Sequence, residues 1–475
     1  MWGGATTRSK LQNSITSLRK VHTVLEAPTE NLINGTIDST HRLSPLLEKD
    51  IASNLAFLSV TSDDVRKVMA VCVEEHANGQ GITIRIASNT GDPLAAADGF
   101  KKLGKILEQI ARRPKPGRVD DIETLFGQVI VLDMDRILTR LRSRHMRTRR
   151  TTGKPALITQ LHDAVKDASV RSPASLINIS QDLQKLFTEL EAISNINASK
   201  ALAHRLLSEI VRQAHVLTST TNLELLLLDS KLQPPSLKSH IPLAFDKLSR
   251  YYSAARSLAC AARDKKCPIF RTIIIEPFYI DMPPFLNKDI KVHAEIQLLF
   301  FYEIHPQLPR PRIICASKSA CYLCNLYFRL HGGFRVPRSH GKLYKQWTLP
   351  DWLPVPLARH AELSNVATRF NAALEARARN RTATRYPDPN ESVPSIPRSL
   401  APSTVCKAPS SVASTSTIRP RVPLQPVGIP EVVISQLSTM PPTPPQTPPT
   451  DIPPILEVQA GACADNIDHI PPIPE

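Results

Sequence analysis

"KDIKVHAEIQLLFFYEIH", residues 288–305, decides how this chain is read. Ile296, Leu299, Phe300 and Ile304 fall at i, i+3, i+4 and i+8, so a helix starts close to His293. Upstream, "IFRTIIIEPF" (269–278) reads as a buried β-branched strand, and "LAFDKLSRYYSAARSLACAARDKK" (243–266) as a helix before it. Downstream, "RPRIICAS" (310–317) is another short apolar strand. "CYLCNLYFRLHGG" (321–333) is a helix stopped at Gly332-Gly333, and "GFRVP" (333–337) a further strand. Strands alternating with helices predict an α/β fold, a layered and largely parallel sheet with flanking helices.

This reading puts "VHAEIQ" (292–297) and "SACYLCNLYF" (319–328) where a strand hands over to a helix N-terminus, at the same edge of one sheet. Cys321 and Cys324, three apart on a first helical turn, point their sulfurs the same way. The positive end of that helix favours the thiolate a metal needs. His293 reaches across from the neighbouring helix start. One imidazole and two thiolates make three ligands for Zn2+ and leave a fourth position open for water, as catalytic sites do. Glu295 beside that water can take its proton and hand protons on to a ring nitrogen and a departing amine. Hydrolytic deamination needs that set of transfers.

His293-Ala294-Glu295 followed by Cys321-Tyr322-Leu323-Cys324 resembles the zinc-dependent cytidine deaminase-like superfamily, whose signature is H-x-E…P-C-x-x-C. The longer string "CASKSACYLCNLYFRLHGGFRVPRSHGKLY" (315–344) resembles a fungal branch of it, related to deaminases found in bacterial toxins. The resemblance implies that His293, Cys321 and Cys324 bind zinc and that Glu295 shuttles protons. One position departs: Ala320 stands where the superfamily usually has Pro. Other readings stay open. A structural zinc knot lacks a well-spaced fourth ligand, since His331 sits about two turns up the same helix. A redox CxxC leaves the H-x-E accidental. A catalytically inactive, zinc-stabilised deaminase-like scaffold or interaction protein is the main rival.

Around this core, Ser317, Lys318 and Ser319 form a loop above the site with the means to touch substrate. "RSHGKLY" (338–344) offers Arg338, His340 and Lys342 to a phosphate or a base edge, against a plain solvated turn. Trp347 and Trp352 either stack on a base or anchor the end of the domain. Residues 240–355 carry 17 Lys or Arg against 8 Asp or Glu, a field that suits a polyanion more than a free base. The substrate class expected is therefore nucleic acid or a nucleotide.

The rest of the chain divides by composition. Residues 1–40 read as a flexible N-terminus, 41–239 as a mostly helical region, and 240–355 as the zinc deaminase-like domain. Residues 356–384 read as a helical extension and 385–475 as a disordered Pro/Ser/Thr-rich tail. In the helical region "SDDVRKVMAVCVEEHANG" (62–79) reads as a helix capped by Ser62 and stopped at Gly79. "GITIRIAS" (81–88) reads as a strand, "AAADGFKKLGKILEQIARR" (95–113) as a helix, and residues 175–217 keep helical spacing. Arg136 to Lys154 holds eight Arg or Lys and no acid, either a phosphate-contacting arm or import signal, or a solvated helix end.

Of the 42 prolines, 21 lie at or after Pro387, where the sequence cannot bury enough apolar surface to order itself. That tail has polyproline II character, with Thr443 and Thr447 before Pro, so proline-motif-binding or kinase partners are expected through it. The net charge of +16 points to anionic partners. Eight scattered cysteines are no disulfide framework, and no apolar run approaches 18 residues. An intracellular protein, cytoplasmic or nuclear and without a membrane span, is expected. The acid-free, basic first 25 residues leave mitochondrial import as the alternative.

Overall fold

Two strands from the first hundred residues form the middle of the sheet that carries the site. The computed structural model describes residues 1–33, 41–62, 64, 67–114, 118–147, 155–167, 174–228, 237–380 and 386–391. The order is α1 (Arg8–Val21), β1 (Thr29–Glu30), α2 (Pro45–Leu58), β2 (Met69–Glu75), β3 (Gly81–Ser88), α3 (Leu94–Arg112) and α4 (Arg118–Leu141). Then come α5 (Leu157–Asp167), α6 (Ala174–Ala192), α7 (Lys200–Thr220), α8 (Leu223–Leu228) and α9 (Leu237–Ala262). A 3₁₀ turn (Pro268–Arg271) leads to β4 (Thr272–Phe278), α10 (Ala294–Ile304), β5 (Ile314–Ala316), α11 (Tyr322–His331), β6 (Arg338–Ser339) and α12 (Leu357–Arg379).

The main sheet has the strand order β4-β3-β2-β5. β3 is parallel to β4, whereas β2 is antiparallel to both β3 and β5. The fold is α/β and layered, but the sheet is mixed rather than largely parallel. Its two faces feed separate cores. Met69, Val71, Val73, Ile82, Ile84 and Ile86 pack with α2 to α9, while Ala70, Cys72, Ala87 and Ile314 pack with α1, α10, α11 and α12.

The helix expected over residues 62–79 is strand β2. Side chains on both of its faces are buried, so the alternation that marks a half-exposed strand is missing. Gly79 stops no helix. It takes a φ of 63° in the turn between β2 and β3, where its N–H donates to the His76 carbonyl at 2.7 Å. A Cβ there would collide with the Arg42 side chain. β4 forms as expected, but as an edge strand with Thr272 and Ile274 facing out, not as a buried one. "GFRVP" supplies only a bridge between Arg335 and Ile313, and the chain pairs again at β6, antiparallel to β1.

Nor are the first residues a loose lead-in. α1 buries Leu11, Ile15 and Leu18, and Trp2 stacks on Phe300 with ring centres 5.5 Å apart. Each buried side chain of this kind contributes about 1.5–3 kcal/mol. The described start of the basic stretch is also used internally. Arg136 donates to the Ser62 carbonyl, and Arg140 donates to the Lys247 carbonyl while lying 4.9 Å from the Phe57 and Tyr251 ring centres. Residues 148–154, and the tail with Thr443 and Thr447, lie outside the described residues. Among those described, no helix is long and apolar enough to cross a membrane.

Candidate metal centre

β4 and β5 lie on opposite sides of the sheet, with β3 and β2 between them, yet both run in the same direction. They therefore hand over at the same end of the sheet rather than along one side edge. After β4 the chain crosses the sheet end and enters α10 with His293 as its N-cap residue. After β5 it turns into α11 with Cys321 as N-cap, whose sulfur accepts the Cys324 N–H at 3.4 Å. A thiolate suits that place, because it meets unsatisfied N–H groups and the positive end of the helix.

The convergence is close. His293 Nδ1 stands 3.6 Å from Cys321 Sγ and 3.5 Å from Cys324 Sγ. All three ligand atoms lie within 4.8 Å of one another. A tetrahedral ion with bonds of about 2.0 Å to nitrogen and about 2.3 Å to sulfur needs an N···S edge of about 3.5 Å. The donor set and its spacing fit zinc.

Electrostatics prepare these groups. Burial opposes ionisation of Cys321, but hydrogen bonding with Cys324 and the facing His293 charge hold its thiol well below the ordinary range. Burial, with the neighbouring Cys321, pushes the Cys324 thiol well up. Burial alone would lower His293, yet the Cys321 thiolate raises it. A cation seated among the three must displace the remaining protons. Glu295, 3% exposed on the first turn of α10, is pushed up to about 7 by burial, with Cys321 adding and His293 opposing. A carboxyl titrating near 7 exchanges protons readily at neutral pH.

Three neighbours complete the surroundings. Trp347, fully buried, donates its indole N–H to Cys324 Sγ at 3.3 Å. No local pattern links it to the cysteines, so base stacking and domain anchoring were the only readings open to it. Ala320 donates its N–H to the Arg338 carbonyl at 2.9 Å and accepts from the His340 N–H at 3.0 Å. Proline has no N–H to give there, which accounts for the departure from the usual signature. Trp352 donates to the Asp281 carbonyl at 3.1 Å.

His331, too far along α11 to be a ligand, bonds instead to the fully buried Glu303 at 3.2 Å. Burial would raise Glu303, but hydrogen bonds from His331 and Arg359 and the Arg310 charge bring it down to about 2. Glu303→Ala leaves Arg310 and Arg359, 29% and 20% exposed, without their shared carboxylate, so a stability loss of about 1–3 kcal/mol is expected in urea unfolding. Because the folded-state pKa is depressed, the contribution is complete above the ordinary carboxylate pKa. It disappears as pH falls through about 2.

The residues expected above the site divide. Ser317 Oγ accepts the Met69 N–H at 3.1 Å. His340 is buried and its Nδ1 accepts the Lys342 N–H at 3.1 Å, while Arg338 pairs with Glu30. Lys318, Ser319 and Lys342 all meet Glu391. The Lys318 ammonium lies 2.7 Å and the Lys342 ammonium 3.5 Å from its carboxylate, and the Ser319 N–H donates to its carbonyl at 2.9 Å. Tyr344 adds its hydroxyl at 2.5 Å, and its ring centre lies 5.8 Å from that of His293. Residues 386–391 were expected in the disordered tail, but these donors hold them against the site. Tyr344 closes the "RSHGKLY" stretch that drew attention for its cations. Glu391 was hidden behind the compositional boundary.

Residues 292–351 match the family model described as OTT_1508-like deaminase. The matched segment holds His293, Glu295, Cys321, Cys324, Tyr344 and Trp347. The match supports a deaminase of the cytidine deaminase-like type, on a segment that is a small part of the chain. No curated protein and no solved structure is similar enough to match. The matched segment includes α10, β5, α11 and β6, but not β2 and β3, the two middle strands of the sheet.

Proposed function

We propose that this protein is a zinc-dependent hydrolytic deaminase acting on a nucleobase, carried by nucleic acid or a nucleotide. The observation that carries this reading is the meeting of His293, Cys321 and Cys324 in a deaminase-matched segment, with a buried carboxyl two residues from the imidazole. His293, Cys321 and Cys324 would hold the ion. Zinc, when bound, supplies a Lewis acid that makes water nucleophilic at neutral pH. Glu295 does the proton work. It takes a proton from the attacking water and delivers it to the ring nitrogen, then takes the proton of the hydroxyl added to the ring carbon and delivers it to the departing amine. Overall, water replaces the exocyclic amine by a carbonyl oxygen and ammonia leaves.

The surplus of Lys and Arg over residues 240–355 supports a phosphate-bearing substrate. Trp347 would support the centre by bonding Cys324 Sγ. Trp347→Phe keeps most of the ring and loses the N–H, so zinc affinity in chelator competition is expected to fall about 10- to 100-fold.

A second reading, a deaminase-like zinc-stabilised scaffold without turnover, draws support from Glu391, which already engages the cations beside the centre. Ammonia release and base conversion, measured on nucleosides, nucleotides, single-stranded DNA and RNA, separate the two. Turnover of one substrate class is expected. Zinc-loaded, folded protein that converts none of them makes the scaffold the better account.

A further inference from the structure

Within residues 386–391, the contacts of Asp388 and Glu391 with the site are chemically selective. Both oxygens of Glu391 are engaged, Oε2 by Lys318 at 2.7 Å and Oε1 by Tyr344 at 2.5 Å. Lys342 stands 3.5 Å from Oε1 and 3.3 Å from Asp388. The Ser319 N–H points at the Glu391 carbonyl, and the Ser319 hydroxyl is buried without a hydrogen-bond partner among the described residues. These donors come from the two loops that lead into and out of α11, the helix bearing both cysteines. Two ammonium groups, a phenol and a backbone N–H meeting one residue make an anion-binding set.

One carboxylate does not exhaust that set. Lys342 is shared with Asp388, whose side chain is 76% exposed. After burial and the charges of Arg140 and Arg136, the charge of nearby Lys318 helps to lower the pKa of the Lys247 ammonium. A phosphate, with more charge and more acceptor oxygens, suits these donors better than a single carboxylate. Tyr344 links this point to the metal centre, its hydroxyl meeting Glu391 and its ring centre lying 5.8 Å from that of His293.

We propose that Lys318, Lys342 and Tyr344 form a phosphate subsite of the deaminase centre, which Glu391 fills from within the chain. Residues 386–391 thereby compete with the phosphate of the substrate. The inference rests on the deaminase reading for its location, but its own test is binding, not turnover. A ligand that must displace a built-in competitor shows an affinity reduced by the fraction of time the site is open.

The experiment titrates the full-length chain with nucleoside 5′-monophosphates, the corresponding nucleosides, and a short single-stranded oligonucleotide. Glu391→Ala is expected to tighten binding of phosphate-bearing ligands about 10- to 100-fold, the worth of one charge-assisted hydrogen-bonded pair. Nucleosides are expected to bind the two proteins alike. Adding Lys318→Ala to Glu391→Ala should abolish the gain. Tightening for the mononucleotide alone assigns the subsite to a free nucleotide, and tightening for the oligonucleotide assigns it to a polynucleotide backbone.

Glu391→Gln, which keeps the side-chain size and loses the charge, carries the same expectation should Glu391→Ala unfold. Unchanged affinity for every phosphate-bearing ligand, or an equal gain for nucleosides, overturns the subsite. The two readings fail separately. Tightened phosphate binding without ammonia release removes the deaminase and leaves the subsite. Ammonia release with affinities indifferent to Glu391 does the reverse.

Discussion

Glu295→Gln is expected to keep zinc and fold and to lose turnover by more than the roughly 10²- to 10⁴-fold that one general acid–base step contributes. The side chain is 3% exposed on the first turn of α10, and Gln fills its space. No metal ligand is touched, so metal content by plasma spectrometry and the melting temperature should match the wild type. What is lost is a carboxyl poised at about 7, able to accept and return protons several times in one cycle. A Glu295→Gln protein that releases ammonia at the wild-type rate removes Glu295 from the mechanism.

Cys321→Ala should fail differently, in metal content and stability together. The substitution deletes one of the three proposed ligands, whose sulfur also accepts the Cys324 N–H at the start of α11. A lost N-cap costs about 1 kcal/mol by itself. Lost zinc adds to this, because binding energy in such a site is also folding energy. Zinc stoichiometry should fall well below one per chain, turnover should vanish, and the melting temperature should drop. Full zinc occupancy in Cys321→Ala would remove the ligand assignment.

The site was legible because its chemistry is local. H-x-E and CxxC each sit within one helical turn, and the helix periodicity that frames them survives burial. What was not legible depends on partners far away in the chain. β2 is buried on both faces by helices from opposite ends of the sequence, so its apolar run carries no period. The expectation of a parallel sheet follows from alternating strands and helices between residues 243 and 337. That window does not contain β2, the strand that runs against its neighbours. Trp347 reaches Cys324 through the packing of the segment after β6, and no spacing rule connects them. Ala320 looked like a weakened motif. It is a residue whose N–H is in use. Glu391 lies in a stretch whose composition resembles the tail, and only the donors it meets distinguish it.

The placement of β2 and β3 also sets a schedule for synthesis. These strands end at residue 88, whereas β4 begins at 272 and β5 at 314. At about 5–20 residues per second, a ribosome needs on the order of ten to forty seconds to cover the interval. For that time the hairpin has both outer edges unpaired, and one face lacks the cover that α10 later brings. Open strand edges are templates for pairing with other chains. Closing them requires a long-range contact, the slow kind in folding. A nascent chain in this state stays open to such pairing until β4 and β5 are made. His293, Cys321 and Cys324, all beyond residue 290, arrive too late to help it.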